Sequence, residues 1–370
     1  MAKRIAINGF GRIGRLTLRL LLNDKSVEVV AINDLTDNKT LAHLLKYDSA
    51  HGPFAGKVSA TDKYLQIGRK KIAALTERDP SKLPWKKMKI DLVLECTGVF
   101  RTSEKAGMHL KAGAKKVLLS APGKSSDIET IVMGVNDKEA DYSKKIFSNA
   151  SCTTNCLAPL VKLIDENYGF TQASMTTTHA YTAGQRLQDA PHKDLRRGRA
   201  AAFNIVPTST GAASAVAKVY PSVKGKMSAM AIRVPVITGS LVELNVLIEK
   251  KTTASAVNKK FAAAAKGYLK GILQYQTDPI VSSDIVGNLY SSIFDSLLTE
   301  VNGQILKVVS WYDNEAGYSA RLAELAARIA NHKARKTRKT PVKSSKKSTV
   351  KSTAKKSTKR PITRRIRTKK

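Results

Sequence analysis

The chain has 370 residues, of which 42% are hydrophobic and 25% are charged. It is too long for one compact core, so we expect two domains, and its many Val, Ile, Leu and Ala residues exclude wholesale disorder. No apolar run reaches the roughly 18 residues that span a bilayer, which predicts that the chain does not insert into a membrane.

The N-terminus and the cysteines indicate the compartment. The segment MAKRIAINGFG lacks the longer apolar region and the small-residue cleavage site of a secretory signal. The three cysteines, Cys96, Cys152 and Cys156, cannot make a disulfide framework, and they fit a reducing environment in which one of them is a reactive thiol. The sequence therefore predicts a cytoplasmic protein.

The formal net charge of +35 is distributed unevenly along the chain. Residues 331–370 carry 18 Lys and Arg and no Asp or Glu, whereas the other 330 residues hold 46 basic and 29 acidic side chains. In residues 331–370 the hydrophobic residues are too few to offset the entropy of ordering, and the like charges repel one another. The composition predicts a disordered basic tail over 331–370.

The first 150 residues alternate short strands with helices. Strands separated by helices imply right-handed crossovers and a mostly parallel sheet. The predicted strands cover 3–8, 27–34, 91–98 and 115–122, and the predicted helices cover 15–23 and 103–112.

Beyond residue 150 the predicted strands become longer. The three strands cover 175–182, 227–237 and 241–249, and two helices cover 255–269 and 318–334. The second and third strands are close enough in sequence to be neighbours in an antiparallel sheet. Residues 180–204 are polar and weakly periodic, and a loop of this length in a compact domain is usually functional.

A glycine pattern follows the first strand. Gly9, Gly11 and Gly14 form G-x-G-x-x-G between a strand and a helix, where they permit a tight turn, close approach of backbone amides to a pyrophosphate, and helix–strand packing. The helix N-terminus then presents partial positive charge to the phosphates. Asp34 ends the second strand, where a carboxylate accepts hydrogen bonds from ribose hydroxyls and repels a 2′-phosphate. We therefore predict a dinucleotide site that prefers NAD to NADP.

The candidate nucleophile is Cys152. It lies where small polar residues give way to an apolar helical pattern, with Ser151 in the N-cap position. The positive end of the helix dipole is expected to lower the pKa of a thiol in the first turn. Cys156, one turn further on, and Cys96 are interpreted as structural.

A nucleophilic thiol needs a base beside it. Of the six histidines, only His179 stands at the end of a polar strand, in TTTHAYT, where the long loop begins. A histidine of this kind is more often structural when it stands alone. Together with a nucleophilic cysteine and a dinucleotide fold, it is interpreted as the base.

Seven segments carry a resemblance to a known family. They are INGFGRIGR (7–15), YDSAHGPF (47–54), SNASCTTNCLAP (148–159), THAYT (178–182), LQDAPHKDLRRGRAA (187–201), PTSTGAA (207–213) and WYDNEAGYS (311–319). In unbroken order from residue 3 to about residue 330, they resemble phosphorylating glyceraldehyde-3-phosphate dehydrogenases. The cysteine segment is far more specific than the glycine pattern.

The resemblance implies a reaction. Cys152 would attack the aldehyde carbon of glyceraldehyde 3-phosphate, and His179 would activate the thiol and take the hydroxyl proton as hydride leaves for NAD. Inorganic phosphate would then cleave the thioester to give 1,3-bisphosphoglycerate. The oxyanion donors would be the Cys152 N–H and the His179 side chain.

The resemblance also implies the binding residues. Thr182 and Arg233 match the pocket for the C3 phosphate of the substrate. The pocket for the attacking phosphate corresponds to Ser151, Thr153, Thr210 and Gly211, with Arg197 as a further contributor. The cofactor residues are Gly9, Gly11, Arg12, Ile13, Gly14, Asp34, Arg78, Ser120 and Asn314, and no metal is implied. Gly184 and Ala316 depart from the family's common residues, which affects affinity and leaves every chemical role in place.

These patterns and the resemblance together predict an α/β fold with two domains and a tail. A Rossmann-type doubly wound dinucleotide-binding domain covers 1–150 and is completed by a helix at 315–330. An α+β catalytic domain with a mostly antiparallel sheet covers 151–314. The family is a homotetramer in which the loop corresponding to 180–204 lies at a subunit interface, against the neighbouring subunit's cofactor, and the resemblance implies the same for this chain.

Several functions stay open at this point. The tail resembles those of lysine-rich histone-like proteins, which bind nucleic acid without sequence preference, although a solvated tail and an anionic membrane surface are alternatives. Another possibility is a nucleic-acid-binding protein that has kept the scaffold but lost enzyme activity. The presence of Cys152, His179, Arg233 and Asn314 argues against it. A third possibility is an erythrose-4-phosphate dehydrogenase on the same scaffold. The segment STGAA at 209–213 argues against it, because it resembles the segment of the glyceraldehyde 3-phosphate enzymes.

Overall fold

This computed structural model describes residues 1–332, so nearly all of the predicted tail lies outside the described residues. The α-helices of the described part are α1 (Arg12–Leu21), α2 (Asn38–Lys46), α3 (Trp85–Met88), α4 (Ser103–Lys111), α5 (Cys152–Tyr168), α6 (Ala212–Val219), α7 (Ala254–Lys266) and α8 (Ala316–Asn331). Across residues 1–332, no helix combines the length and the apolar character that crossing a membrane requires.

Nine strands form the first sheet. They are β1 (Lys3–Asn8), β2 (Val27–Asn33), β3 (Val58–Ala60), β4 (Tyr64–Ile67), β5 (Lys70–Leu75), β6 (Leu92–Glu95), β7 (Lys116–Leu119), β8 (Glu129–Thr130) and β9 (Ile146–Ser148). Their order is β3-β4-β5-β2-β1-β6-β7-β9-β8, and all pairs are parallel except those that β4 makes with β3 and β5. Successive residues of β1 are fully buried because helices cover both faces of the sheet.

The first sheet has its switch point at β1. β2 pairs with one side of β1 and β6 with the other, so the direction of winding reverses there. In a doubly wound sheet, the carboxyl ends of the strands at this point leave a crevice in which ligands bind. The glycine turn begins at the end of β1, so the fold places it in that crevice.

Seven strands form the second sheet. They are β10 (Gln172–Ala180), β11 (Val206–Ser209), β12 (Met227–Val234), β13 (Ser240–Leu247), β14 (Leu273–Gln276), β15 (Ser292–Asn302) and β16 (Ile305–Tyr312). Their order is β11-β12-β10-β13-β16-β15-β14, and four of the six pairs are antiparallel. The predicted fold class, a Rossmann-type sheet followed by a mostly antiparallel one, is confirmed.

The predicted pairing of the strands at 227–237 and 241–249 is wrong. β10 lies between them, parallel to β12 and antiparallel to β13, so Thr177 is opposite both Ala231 and Val242. The five residues 235–239 can span about 17 Å, and strands two places apart are separated by about 10 Å. The short connection therefore crosses the end of β10, and proximity in sequence does not require a hairpin.

Helix α8 returns the end of the described chain to the first sheet. Leu322, Leu325 and Ile329 are buried in the same core as Ile5, Ile7 and the apolar face of α1. Helix α5 lies in the other large core, beneath the second sheet. The domain boundaries at residues 150 and 314 stay a prediction.

Candidate active site

Cys152 is the first residue of helix α5. The chain leaves β9, turns through Ala150, whose φ of 54° is in the left-handed region, and enters the helix at Ser151. The Ser151 hydroxyl oxygen accepts a hydrogen bond of 3.1 Å from the Thr154 N–H and caps the helix. The predicted N-cap is therefore present, and the thiol lies at the helix start.

His179 reaches the thiol from the end of β10. Its Nε2 lies 3.4 Å from the Cys152 Sγ, and only 3% of the residue is exposed. The Tyr312 ring meets the imidazole edge-on, with 5.9 Å between the ring centroids. The two residues predicted to react are thus side by side, although 27 positions separate them in sequence.

Arg233 holds the far side of the imidazole. It lies opposite His179 in the β10–β12 pairing, and its Nη1 is 2.6 Å from the His179 Nδ1 and 2.9 Å from the Ala180 carbonyl oxygen. The Nδ1 also lies 2.7 Å from the Ala180 oxygen. Arg233 can only donate and the Ala180 oxygen can only accept, so Nδ1 cannot bond to both in one tautomer. In the tautomer with the proton on Nδ1, both Nδ1–H and Arg233 donate to the Ala180 oxygen, and the Nε2 lone pair faces Cys152 and can accept the thiol proton.

Burial governs the ionisation of this pair. It raises the pKa of the Cys152 thiol, and the charge of Arg233 and the hydrogen bonds at Thr153 only partly oppose this. Burial and the Arg233 charge lower the pKa of His179 to about 3. The N–H groups at the start of α5 do lower the thiol pKa, as expected, but burial outweighs them, so the expected net lowering is wrong. The resting pair is a neutral thiol beside a neutral imidazole.

Two cavities meet the glycine turn. One, of about 320 Å³, is lined by Cys152 and His179, and the other, of about 430 Å³, lies over the carboxyl ends of β1, β2 and β6. Of the predicted residues, the first is lined by Arg12, Ile13, Ser120, Ser151, Cys152, His179, Thr182, Arg233 and Asn314. The second is lined by Gly9, Gly11, Asp34 and Arg78.

The glycine turn fits a close-lying pyrophosphate. Gly9 has a φ of 91°, and a Cβ on Gly14 would lie 2.3 Å from the Gly9 carbonyl oxygen, so neither position accommodates a side chain. A Cβ on Gly11 would meet nothing within 4 Å, so this backbone is open to a ligand. One Asp34 oxygen accepts a hydrogen bond of 2.7 Å from the Phe10 N–H and fixes the carboxylate beside the turn.

Asn314 fits a nicotinamide carboxamide. Its Oδ1 accepts hydrogen bonds from the Ser240 hydroxyl at 2.9 Å and the Gly239 N–H at 3.2 Å. Because these donors occupy the oxygen, the amide orientation is fixed and the Nδ2 hydrogens are left for a group in the cavity. A carboxamide oxygen is a suitable acceptor for them.

The predicted phosphate residues are not all in one place. Thr153 is buried, and its hydroxyl lies 2.9 Å from the Tyr312 hydroxyl. Arg197 donates to the Thr208 hydroxyl at 2.7 Å, Thr210 accepts from the Ala212 N–H, and Gly211 is the N-cap of α6. These four do not line the cavity of Cys152, so their role as a phosphate pocket stays a prediction.

Sequence reasoning missed a charged cluster beside the predicted cofactor residues. The His51 cluster consists of Arg12, Asp48, His51, Asp313 and Glu315. The His51 Nε2 lies 2.8 Å from the Asp313 Oδ2, and the Arg12 guanidinium bridges Asp48 and Glu315. No local pattern indicates these contacts, since His51 and Asp313 are 262 positions apart.

The His51 cluster predicts a pH-dependent stability. Burial alone would lower the pKa of His51, but the hydrogen bond to Asp313 and the charges of Asp313, Glu315 and Asp48 outweigh it and raise the pKa. The resulting stabilisation is complete below the unfolded-state pKa of about 6.5 and is lost as the pH rises through the folded-state value. His51→Gln should therefore lower the free energy of unfolding more at pH 6 than at pH 9.

Denaturant titrations at one protein concentration measure this difference. The exposed His43→Gln makes the same substitution outside the His51 cluster and is the matched control. A difference in the free energy of unfolding between wild type and His51→Gln that stays constant from pH 6 to pH 9 would contradict the prediction.

A doubly wound sheet whose crevice ends on a paired thiol and imidazole defines a dinucleotide-dependent dehydrogenase with a cysteine–histidine site. Residues 3–103 match the profile described as glyceraldehyde 3-phosphate dehydrogenase, NAD binding domain, and residues 151–314 match that enzyme's C-terminal domain. The chain belongs to the glyceraldehyde-3-phosphate dehydrogenase family.

Named relatives agree with the profiles. Glyceraldehyde-3-phosphate dehydrogenase of Geobacillus stearothermophilus is 54% identical over 333 residues, which cover 90% of this chain and 99% of the relative. That of Mycobacterium tuberculosis H37Rv is 55% identical over 336 residues, 89% of this chain and 99% of its own. The enzyme of Thermotoga maritima is 56% identical over 324 residues, which cover 87% of this chain and 97% of the relative. The predicted family, NAD cofactor and glycolytic oxidoreductase activity are confirmed.

Proposed function

We propose that this chain converts glyceraldehyde 3-phosphate to 1,3-bisphosphoglycerate through a thioester on Cys152, with His179 as the base. The observation that carries the proposal is the 3.4 Å contact between the thiol and the imidazole, in a cavity shared with Asn314. NAD, when bound, accepts the hydride that the substrate loses. The residues that would hold NAD are those of the glycine turn together with Asp34, Arg78, Ser120 and Asn314.

The first step joins the sulfur to the aldehyde carbon. The thiol proton moves to the His179 Nε2 as the S–C bond forms, and the carbonyl oxygen becomes an oxyanion. The Cys152 backbone N–H, at the start of α5, and the protonated Nε2 are the donors for this oxygen. Protonation of the oxyanion gives a hemithioacetal and returns His179 to its neutral form.

The substrate itself strengthens the base. In the resting site the Arg233 charge helps to lower the pKa of His179. Because Arg233 and Thr182 would bind the C3 phosphate, a bound dianion offsets that charge 2.6 Å from the imidazole. His179 then accepts a proton more readily once substrate is bound.

The later steps oxidise and release the acyl group. His179 takes the hydroxyl proton of the hemithioacetal while the hydrogen on carbon departs as hydride, which leaves a thioester. An oxygen of inorganic phosphate then attacks the thioester carbon, the C–S bond breaks, and the sulfur leaves as a thiolate that is reprotonated. Covalent attachment carries the driving force of oxidation into an acyl phosphate.

NADH formation measured with and without inorganic phosphate tests the proposal. Sustained turnover with glyceraldehyde 3-phosphate should require phosphate, and NADP should replace NAD poorly because of Asp34. Erythrose 4-phosphate is the parallel substrate, and faster turnover with it would favour the sister activity. Sustained turnover without phosphate would contradict the thioester scheme.

We propose a homotetramer, and apolar side chains of the long loop support it. Leu187, Leu195 and Phe203 of the 180–204 loop and the adjoining Ile205 are 77%, 86%, 88% and 70% exposed in the single chain. Such a concentration of exposed large apolar residues fits burial against a second copy. Sedimentation should give the mass of four chains, and Phe203→Asp should shift it downward. A wild-type chain that sediments as a monomer would contradict this assembly.

We also propose that residues 331–370 bind nucleic acid in a cytoplasmic enzyme. The support is their 18 Lys and Arg without an acidic residue, because each neutralised phosphate releases counterions and makes binding depend on salt. Four tails on a tetramer would raise the avidity. The full-length protein should retain more DNA than a chain that ends at Asn331, and the difference should shrink as the salt concentration rises. Equal retention would contradict this role.

A further inference from the structure

A buried polar row crosses three neighbouring strands of the first sheet. Asn33, Asn8 and Glu95 are the last residues of β2, β1 and β6, they lie side by side in the strand register, and each is at most 4% exposed. The Asn33 Nδ2 donates to the Asn8 Oδ1 at 2.7 Å, and the Asn8 Nδ2 donates to the Glu95 Oε2 at 2.6 Å. Neither Glu95 nor Asn8 has a role in the reaction proposed above.

Glu95 is a buried acid held by neutral donors. Its Oε2 also lies 3.0 Å from the His109 Nε2, and its Oε1 accepts from the Thr97 N–H at 2.8 Å and from the Thr97 hydroxyl. Among residues 1–332, no Lys or Arg forms an ion pair with Glu95. Burying a carboxylate is costly unless its oxygens are hydrogen-bonded, so these donors define where the side chain lies.

Trp85 fixes the direction of this chain of hydrogen bonds. Its indole Nε1, which can only donate, lies 3.0 Å from the His109 Nδ1. The Nδ1 therefore accepts, and the neutral imidazole carries its proton on Nε2, where it donates to Glu95. Trp85 and His109 are completely buried, and the Phe100 ring meets the imidazole edge-on. Donation thus runs from Trp85 through His109 to Glu95.

One end of the network holds the glycine turn. A Cβ on Gly9 would lie 2.7 Å from the Thr97 backbone nitrogen, so Thr97 is in direct contact with the turn. Glu95 binds both the N–H and the hydroxyl of Thr97. The carboxylate therefore fixes the wall against which the first glycine rests.

The other end holds the Glu77–Arg78 turn. The Asn33 Oδ1 accepts from the Glu77 N–H at 2.9 Å, and its Nδ2 donates to the Glu77 carbonyl oxygen at 2.9 Å. Asn33, Glu77 and Arg78 line the 430 Å³ cavity together with Gly9 and Thr97. Both ends of the network thus reach the same cavity.

We propose that Glu95, oriented by His109 and Trp85, is a positioning residue for the adenosine half of the NAD site. It acts through Thr97 on the glycine turn, and through Asn8 and Asn33 on the Glu77–Arg78 turn. This inference rests on the proposed NAD site, in which Asp34 and Arg78 place the adenosine half of the cofactor in the 430 Å³ cavity. It concerns the binding of one half of the cofactor and leaves the Cys152 chemistry unaffected.

Glu95→Gln tests the proposal. The amide keeps the shape but offers a single acceptor oxygen to donors that need two, so we expect the dissociation constant of ADP-ribose and the KM for NAD to rise about tenfold. Inhibition by nicotinamide mononucleotide, and the KM values for glyceraldehyde 3-phosphate and phosphate, should stay at wild-type values. Calorimetric titration and steady-state kinetics on the full chain provide these readouts.

Two further variants complete the test. Trp85→Phe removes the donor that orients His109 and should weaken the binding of ADP-ribose but not that of nicotinamide mononucleotide. This variant tests the proposal if Glu95→Gln does not fold. Glu28→Gln makes the same substitution at an exposed position of β2 and should leave the affinities for both ligands unchanged. Unchanged ADP-ribose affinity in both network variants would overturn the proposal, as would equal weakening of ADP-ribose and nicotinamide mononucleotide. Because ADP-ribose binding needs no turnover, failure of the proposed reaction would be seen separately.

Discussion

Replacement of Cys152 by serine is expected to lower phosphate-dependent NADH formation by roughly 10⁴-fold or more. The serine hydroxyl is a far weaker acid and nucleophile than a thiol, and the neutral imidazole 3.4 Å away cannot compensate for that. NAD binding should be retained because the cofactor residues are unchanged. Steady-state turnover and calorimetric titration with NAD measure the two properties separately.

Cys156→Ser is the matched control for this experiment. Cys156 lies one turn further along α5, is fully buried, and has its Sγ 3.6 Å from the Ser292 hydroxyl. The serine variant should keep most of the wild-type activity. Comparable losses at both positions would contradict the assignment of the nucleophile, and so would substantial turnover in Cys152→Ser.

His179→Asn should lower kcat by about 10³-fold, a loss typical of removing a general base. Burial raises the pKa of the Cys152 thiol, so without the imidazole the thiol must ionise unaided. The alkylation rate of Cys152 by iodoacetamide in the variant should therefore rise steeply with pH toward pH 9. In the wild type, His179 is neutral above its pKa of about 3, so its Nε2 lone pair is available throughout this range to take the thiol proton as the new S–C bond forms.

The exposed His43→Asn serves as the comparison and should behave like wild type in both assays. A His179→Asn variant with near-normal kcat would refute the role of the base. Alkylation that is equally fast in wild type and variant at every pH would show that the imidazole does not activate the thiol.

Local sequence patterns predicted the features that depend on neighbouring residues. The G-x-G-x-x-G turn, the helix that begins after Ser151 and the strand that ends near His179 each arise from a short segment, and each lies within a few residues of its expected place. The doubly wound sheet follows from alternating strands and helices. The contact between Cys152 and His179 could be inferred because their chemistry requires it.

Long-range packing explains what the sequence did not predict. Nothing local to β12 and β13 indicates that β10 lies between them. The raised thiol pKa depends on how far the folded chain closes over Cys152, and this outweighs the local effect of the helix start. The Glu95 network combines residues from β1, β2, β6, α3 and α4, whose hydrogen-bonding partners are defined only after the sheet has formed.

The direct test of the account is to identify the acylated residue by mass spectrometry. The full chain is mixed with NAD and glyceraldehyde 3-phosphate in the absence of phosphate and quenched rapidly. We expect a burst of one NADH per chain and a 3-phosphoglyceroyl group on the peptide that contains Cys152, discharged when phosphate is added. An acyl group attached elsewhere, or a burst without any covalent adduct, would contradict the central claim that this sulfur carries the substrate through oxidation.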